Sequence, residues 1–478
     1  MVAVFPRLSL KNLPVRSAAW LAWILALLAS ASAHADPVDD YVRAQMVRYR
    51  VPGIAIAVMH HGQLVRAQGY GIANLEHAVP VHPDTLFKSG ALGMQFTAVA
   101  AMLLVEDGTL RLDASVRTYL PAAPRSWAPI TIRQLLNHSS GLPATPNGDF
   151  RTDYSDDALL AILYGQALNF PAGMRWRFSY VDYVVLGFII RKATGQGYAD
   201  LLARRVFGPL GMRTAQPIDE RAVIPNRAAG YELAGGIPRN AEWVSPTANS
   251  TADGTLYLSV LDLAAWEAGL SRHALLRPES WAAIGARATL PGGRVLPYGF
   301  GWYLDRRAAQ DVWWHSGSWQ GFRSSITRYL GAGWTVVVLA NGDSADPDRI
   351  GRHLAGLFDP ALAEPDAAPL AEQDAADNAA AAALLTQIAN GSPDFAAFSF
   401  FSKLDFTEGM AEYRRLVAPM GAVQAVAAFA RTREGGEDSV RYRARYAEGV
   451  LELRIVRTAG GKIADLDLVP VESWTAPL

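Results

Sequence analysis

Apolar residues recur at helical spacing in VDDYVRAQMVRYRVPG, from Val38 on, and the pattern stops at Pro52-Gly53, a pair that favours a turn over a continued helix. The next stretch, GIAIAVMHHGQLVRAQGYG, is two apolar runs about a His-Gly turn, which predicts a β-hairpin. From residue 85 to about 280 helical periodicity dominates. QFTAVAAMLLVEDG ends at Gly108 as helices commonly do, and TIRQLLNHSSGLP and YVVLGFIIRKATG end in the same manner. Strand patterns return in YGFGWYLD, DVWWHSG, FRSSITRYL and WTVVVLANG, followed by a helical segment from Ile350 to Phe358. One sheet is therefore expected to draw its strands from both ends of a long region, with a helical part inserted between them.

The pattern changes beyond residue 360. DPALAEPDAAPLAEQDAADNAAAA is rich in Ala, Pro and Asp and reads as a linker, 361–374, passing into a helix. In SVRYRARYAEGVLELRIVRTAGGKIADLDLVP the alternation is strict: Val440, Tyr442, Ala444 and Tyr446 fall on one face, and Arg441, Arg443 and Arg445 on the other. Turns at Glu448-Gly449 and Gly460-Gly461 make it an antiparallel meander, so residues 375–478 are expected to form a small separate α+β domain. The arginine stripe reads as a solvated face, with a ligand-facing surface as the alternative.

Composition narrows the function classes. A length of 478 residues suggests two or three domains, and a formal net charge of -1 gives no electrostatic reason to expect nucleic acid or an anionic membrane as partner. At the N-terminus, Arg7, Lys11 and Arg16 precede the apolar run AAWLAWILALLASASAHA, whose Ala33 and Ala35 flank His34 just before Asp36. This is the order of a secretory signal peptide, 1–35, with cleavage after Ala35, export to the periplasm or beyond, and no membrane span afterwards. The chain has no cysteine, which excludes disulfides, thiolate metal sites and a cysteine nucleophile. Adjacent His60 and His61 would point to opposite faces of a strand and cannot chelate one ion together; no metal and no cofactor are expected.

VPGIAIAVMHHGQLVRAQGYGIANLEHAVPVHPDTLF, ITIRQLLNHSSGLP, FPAGMRW, VFGPLGMRTA, LYLSVLDLAAW and HSGSWQGFRSSITRYLGAGWTVVVLANG, in that order over roughly residues 37 to 358, resemble the serine β-lactamase-related superfamily of class C β-lactamases, D-alanyl-D-alanine carboxypeptidases and family VIII esterases. The resemblance implies an α+β fold over 36–360: a β-lactamase/transpeptidase-like antiparallel sheet flanked by helices, with an inserted helical subdomain. It also implies a chemistry. A serine hydroxyl needs a base to remove its proton, and the superfamily supplies a lysine one helical turn later, in S-x-x-K. A tyrosine from Y-x-N assists, and K-T-G or H-x-G lines the opposite wall.

Here the first pattern falls on FKSGALGMQFT, where Phe87, Gly90, Phe96 and Thr97 fit but the serine and lysine positions hold Ala91 and Met94. The second falls on PAGMRWRFSYVDY, with Phe178 for the tyrosine and Tyr180 for the asparagine. His315-Ser316-Gly317 keeps the third. The resemblance thus implies a cleft lined by Ala91, Met94, Phe178, Tyr180, His315, Ser316 and Gly317, in a non-catalytic homologue that binds a peptidoglycan-like or other small ligand. A hydrolase with relocated residues and a scaffold acting through its C-terminal domain are the alternatives. Ser89 reads as a turn or capping serine, Ser179 as structural, and Asp182 as a solvated or helix-capping carboxylate.

Overall fold

The computed structural model describes residues 36–471 apart from 292, 294, 308–309, 364–368, 373, 400–405, 407–409, 412 and 435–436; the expected signal peptide lies outside the described residues. Helix α1 (Pro37–Tyr49) starts where its sequence invites it. The Asp36 carboxylate accepts the Val38 N–H, Pro37 sits at the first helical position, and Arg50 in the left-handed region ends the helix. The hairpin follows as β1 (Gly53–His60) and β2 (Gln63–Asn74), with the short β3 (Val79–Pro80) beside it.

The inserted helical part contains α2 (Met94–Glu106), α3 (Ile132–Leu136), α4 (Asp156–Tyr164), α5 (Tyr180–Thr194) and α6 (Val260–Ser271). Helix α2 is buried on every side from Met94 to Leu104, as a helix apolar all round must be. The sheet is then completed by β4 (Tyr303–Arg307), β5 (Gln310–Trp319), β6 (Phe322–Tyr329) and β7 (Trp334–Ala340), before α7 (Pro347–Phe358). Its order is β3-β2-β1-β7-β6-β5-β4, antiparallel throughout.

This split sheet separates two cores. On β1, Ile54, Ile56 and Val58 join Tyr41, Val42, Ile350 and Leu354 of α1 and α7, while Ala55, Ala57 and Met59 join the large cluster of the helical part. Alternation along β1 therefore buries both faces, one against each layer. At the hairpin tip the histidines behave differently from expectation. Their ring centroids are 4.2 Å apart, because His61 has left the strand with φ +48° and no longer alternates with His60. Among the described residues no three His, Asp or Glu group as metal ligands, and no helix is long and apolar enough to cross a membrane.

The C-terminal β domain has its own core. Asp374 caps α8 (Ala375–Asn390), whose Ala381, Leu384, Leu385 and Ile388 pack on a sheet of β8 (Ala425–Glu434), β9 (Glu437–Tyr446), β10 (Gly449–Arg457) and β11 (Ile463–Val471). The order is β8-β9-β10-β11, so the meander gains a fourth strand that the pattern of AVAAFARTRE did not suggest. A bulge between Ala428 and Ala430 breaks that strand's alternation. Val440, Tyr442, Ala444 and Tyr446 face the core as expected. Arg441 and Arg445 are exposed and Arg443 is half-buried, with Arg441 and Arg443 lying 5.2 and 5.3 Å over the Phe429 ring.

Candidate functional site

Three backbone segments meet at the inner end of α2. The chain leaves Lys88, makes a tight 3-10 turn over Gly90–Gly93, and only then enters α2 at Met94, so the helix starts one turn later than a start at Ala91. Strand β5 lies directly against this turn. A Cβ at Gly317 would stand 1.9 Å from the Ser89 carbonyl oxygen and 2.9 Å from the Leu92 nitrogen. The loop before residue 256 closes the third side. There Gly254 has φ +112°, and a Cβ on it would meet the Gly90 carbonyl oxygen at 2.2 Å and the Ala91 Cα at 3.1 Å. Only glycine permits either approach.

Ala91 is 4% exposed and Met94 fully buried, and both belong to the large apolar cluster. Phe178 and Tyr180 pack at the edge of that cluster and, with Ser316, keep partial access to solvent. The Phe178 ring lies 5.2 Å from Tyr180, 6.1 Å from His315 and 6.3 Å from Tyr303, which it stacks upon. Phe178, Tyr180 and His315, far apart in sequence, are thus neighbours, and Gly317 abuts the turn that carries Ala91.

His315 is buried, and its two nitrogens are both engaged. The Ser316 carbonyl lies 2.7 Å from Nδ1, which can only be a donor there, leaving Nε2 to accept the Tyr298 hydroxyl at 2.8 Å. Burial pushes the imidazole pKa down to about 4, so the ring is neutral near pH 7. Sequence reasoning did not single out Tyr298; in YGFGWYLD it read only as part of a strand.

The serines hold the frame. Ser89 is buried: its hydroxyl donates to the Gly254 carbonyl and accepts the Leu256 N–H at 3.3 Å, while its own carbonyl takes the Ser324 hydroxyl at 2.6 Å. Ser179 caps α5, accepting the Asp182 N–H at 3.2 Å and donating to the Pro143 carbonyl at 2.6 Å.

Asp182 corrects the expectation of a solvated carboxylate, since the first turn of α5 drives it wholly into the interior. It accepts the Ser140 hydroxyl at 2.5 Å and lies 3.0 Å from His138 Nδ1. Burial raises its pKa well above the ordinary carboxylate range and lowers that of His138 well below the usual imidazole range, and the nearby His315 imidazole further disfavours protonation of His138. The Ser179 N–H points at the same Nδ1 from 3.3 Å. Nδ1 is therefore an acceptor, and the proton between the two side chains resides on Asp182. A neutral carboxyl in this position is no general base.

Asp253 is a second residue that the sequence reading passed over, because Asp-Gly looks like any turn. It immediately precedes the Gly254 that packs on Ala91, and its carboxylate accepts the Thr251 hydroxyl at 2.6 Å. The Thr97 hydroxyl of α2 holds the preceding Ala252 carbonyl at 2.6 Å. Burial pushes the Asp253 carboxyl up to about 6, and its charge is felt by the Tyr180 phenol. Elsewhere, a groove of 320 Å³ lined by residues of α4 and α5, among them Asp156, Phe188 and Arg191, contains none of these groups.

Residues 38–359 match the family described as Beta-lactamase. In sequence, the chain is 28% identical over 300 residues to penicillin-binding protein 4* of Bacillus subtilis, covering 59% of this chain and 66% of that protein. It is 28% identical over 318 residues to a D-aminopeptidase of Gluconobacter oxydans, covering 64% and 59%. The match thus spans less than two thirds of either relative's length. In structure, it is similar to the octameric penicillin-binding protein homologue from Pyrococcus abyssi (TM-score 0.61, 21% identity, 91% of this chain and 96% of that one). It is also similar to D-amino acid amidase from Ochrobactrum anthropi SV3 complexed with L-phenylalanine (TM-score 0.59, 23% identity, 68% and 99%). These structural likenesses speak to the fold.

Proposed function

We propose, since the chain belongs to the Beta-lactamase family, that its cleft holds a small peptide-like ligand without cleaving it. The observation that carries this reading is the turn at the head of α2. Its positions 91 and 94, which match the serine and lysine of S-x-x-K, present a methyl group and a thioether packed into the apolar cluster. Without hydroxyl and amine there is no acyl-enzyme to form. His315 does not replace them, because its accepting nitrogen is taken by Tyr298. Apolar side chains on the floor and half-buried aromatic rings at the rim favour binding over turnover. The names of the relatives, a penicillin-binding protein and a D-aminopeptidase, suggest D-amino-acid peptides and amides as the ligand class. In this reading residues 1–35 direct export, and the protein acts where cell-wall peptides are found.

Asp253 favours a second reading, a hydrolase with relocated chemistry, because a carboxyl with pKa about 6 beside the emptied turn is poised to take a proton from water. One experiment separates the two. The purified protein is incubated with a fluorescent penicillin and a fluorophosphonate probe, and with D-alanyl-D-alanine and D-phenylalaninamide. The binding reading expects no covalent mass increase and no hydrolysis above a blank, together with saturable heat of binding. Turnover abolished by Asp253→Asn would establish the second reading instead.

A further inference from the structure

Strand β5 runs on past the rings that line the cleft. Strand β4 pairs with it only as far as Trp314, so residues 315–319 have a sheet neighbour on one side alone, β6. His315, at the start of this stretch, lies beside the Phe178 ring, and Trp319 ends the strand. At about 3.4 Å of rise per residue the two stand about 14 Å apart.

A second track runs the same way. The Ser179 hydroxyl and the Tyr180 N–H hold the Pro143 and Ala144 carbonyls at 2.6 and 2.8 Å, so loop 143–154 leaves from the Tyr180 side of the cleft. At its middle the Phe150 ring meets the Trp319 indole edge-on, with centroids 5.9 Å apart. Strand and loop thus both lead from the cleft to one pair of rings.

The pair is anchored and yet left open. Trp319 rests on Leu86, Ile218 and Tyr257, and its Nε1 donates to Asn249 Oδ1 at 2.7 Å. An indole N–H can only donate, which fixes the orientation of that amide, and its buried Nδ2 has no hydrogen-bond partner. Phe150 is held by its carbonyl, which accepts the Ser245 N–H at 2.8 Å, and its loop is tied again where the Thr247 hydroxyl donates to Asp153 at 2.6 Å. The Phe150 ring is nevertheless 43% exposed, and Trp243, two residues before Ser245, is 55% exposed. Large aromatic side chains held in water beside an unmet donor mark a binding surface.

We propose that Phe150 and Trp319 form an aromatic shelf at the far end of the ligand cleft, and that the ligand is a peptide of about four residues, apolar at that end. An extended chain needs about that length to cover the distance from His315 to Trp319. Its apolar side chain lies on the exposed Phe150 ring and the Trp319 edge, and Asn249 Nδ2 meets a carbonyl beside it. The proposal deepens the binding reading above and rests on it.

Calorimetry on the full chain tests it with D-alanyl-D-alanine, tetra-D-alanine and the two tetrapeptides in which D-phenylalanine replaces one terminal alanine of the latter. One of the phenylalanine peptides should bind about tenfold more tightly than tetra-D-alanine, the scale of burying one aromatic side chain. Phe150→Ala and Trp319→Leu should each remove most of that gain and leave unchanged the affinity for D-alanyl-D-alanine, which is too short to reach the shelf. Val47→Ala, which trims an exposed apolar residue of α1, should alter neither. Equal binding of all three tetrapeptides would overturn the shelf while the cleft reading stands. A gain that survives both variants would overturn it too, and so would a parallel loss of D-alanyl-D-alanine affinity, which would mark the rings as structural. If the wild type binds none of these peptides, the binding reading of the cleft falls, and this ligand with it.

Discussion

The turn around Ala91 and the cluster around Asp182 sit on helices of one apolar core, and they treat polar groups in opposite ways. At the turn, Ala91, Leu92 and Met94 are apolar, and the segments are joined by backbone approaches too close for any Cβ. Around Asp182, Ser140, His138 and the Ser179 N–H converge on one buried hub. The difference teaches that one core can be held by a polar network in one place and by bare backbone packing in another. A buried polar hub is held in place by its partners, because removing one strands the others. The Ala91 methyl group takes no part in such a network, since it carries no donor or acceptor to leave unpaired.

Breaking the hub should therefore have the largest effect. Asp182→Ala strands Ser140 and His138 and is expected to cost about 3–5 kcal/mol of stability in denaturant titration. Asp182→Asn should cost only about 1 kcal/mol, because a neutral amide accepts from Ser140 and donates to His138 Nδ1 much as the protonated carboxyl does. Equal losses in the two variants would show that Asp182 is ionised.

At the edge of the turn, Asp253 sharpens the contrast through pH. Its folded pKa of about 6 lies above the ordinary value near 3.8, so its contribution to stability is complete below that ordinary value and is lost as pH rises through about 6. Asp253→Asn removes this loss. The variant should gain on the wild type by roughly 1–3 kcal/mol between pH 4 and pH 7, and a flat difference across that range would contradict the assignment.

Tyr298→Phe leaves His315 Nε2 without its partner in a buried site, for a loss of about 1–2 kcal/mol. It should also raise the imidazole pKa measured by NMR only if water enters in place of the hydroxyl. The smallest effect is expected at the turn itself. Ala91→Ser should change stability by less than about 1 kcal/mol and, on the binding reading, give no labelling by a penicillin probe, since Met94 stands where a lysine base would be needed. Slow labelling should appear only when Met94→Lys and Phe178→Tyr are added. Labelling of Ala91→Ser alone would mean that Asp253 or another group serves as base.

Local pattern carried much of the molecule. The hairpin, the returning strands, the inserted helices and the inward face of the C-terminal meander follow from periodicities of two and 3.6 that any stretch of chain displays by itself. The family order of motifs placed Phe178, Tyr180 and His315 near one another before any coordinates. What the sequence could not decide is how each residue is met by segments hundreds of positions away. Whether Asp182 faced water or the interior depended on where the His138–Leu142 segment packs. The Tyr298 hydroxyl found His315 only once β5 was laid into the sheet. Asp253 acquired its raised pKa from the walls around it. Burial and charge coupling are sums over spatial neighbours, and one sequence window holds only the neighbours along the chain.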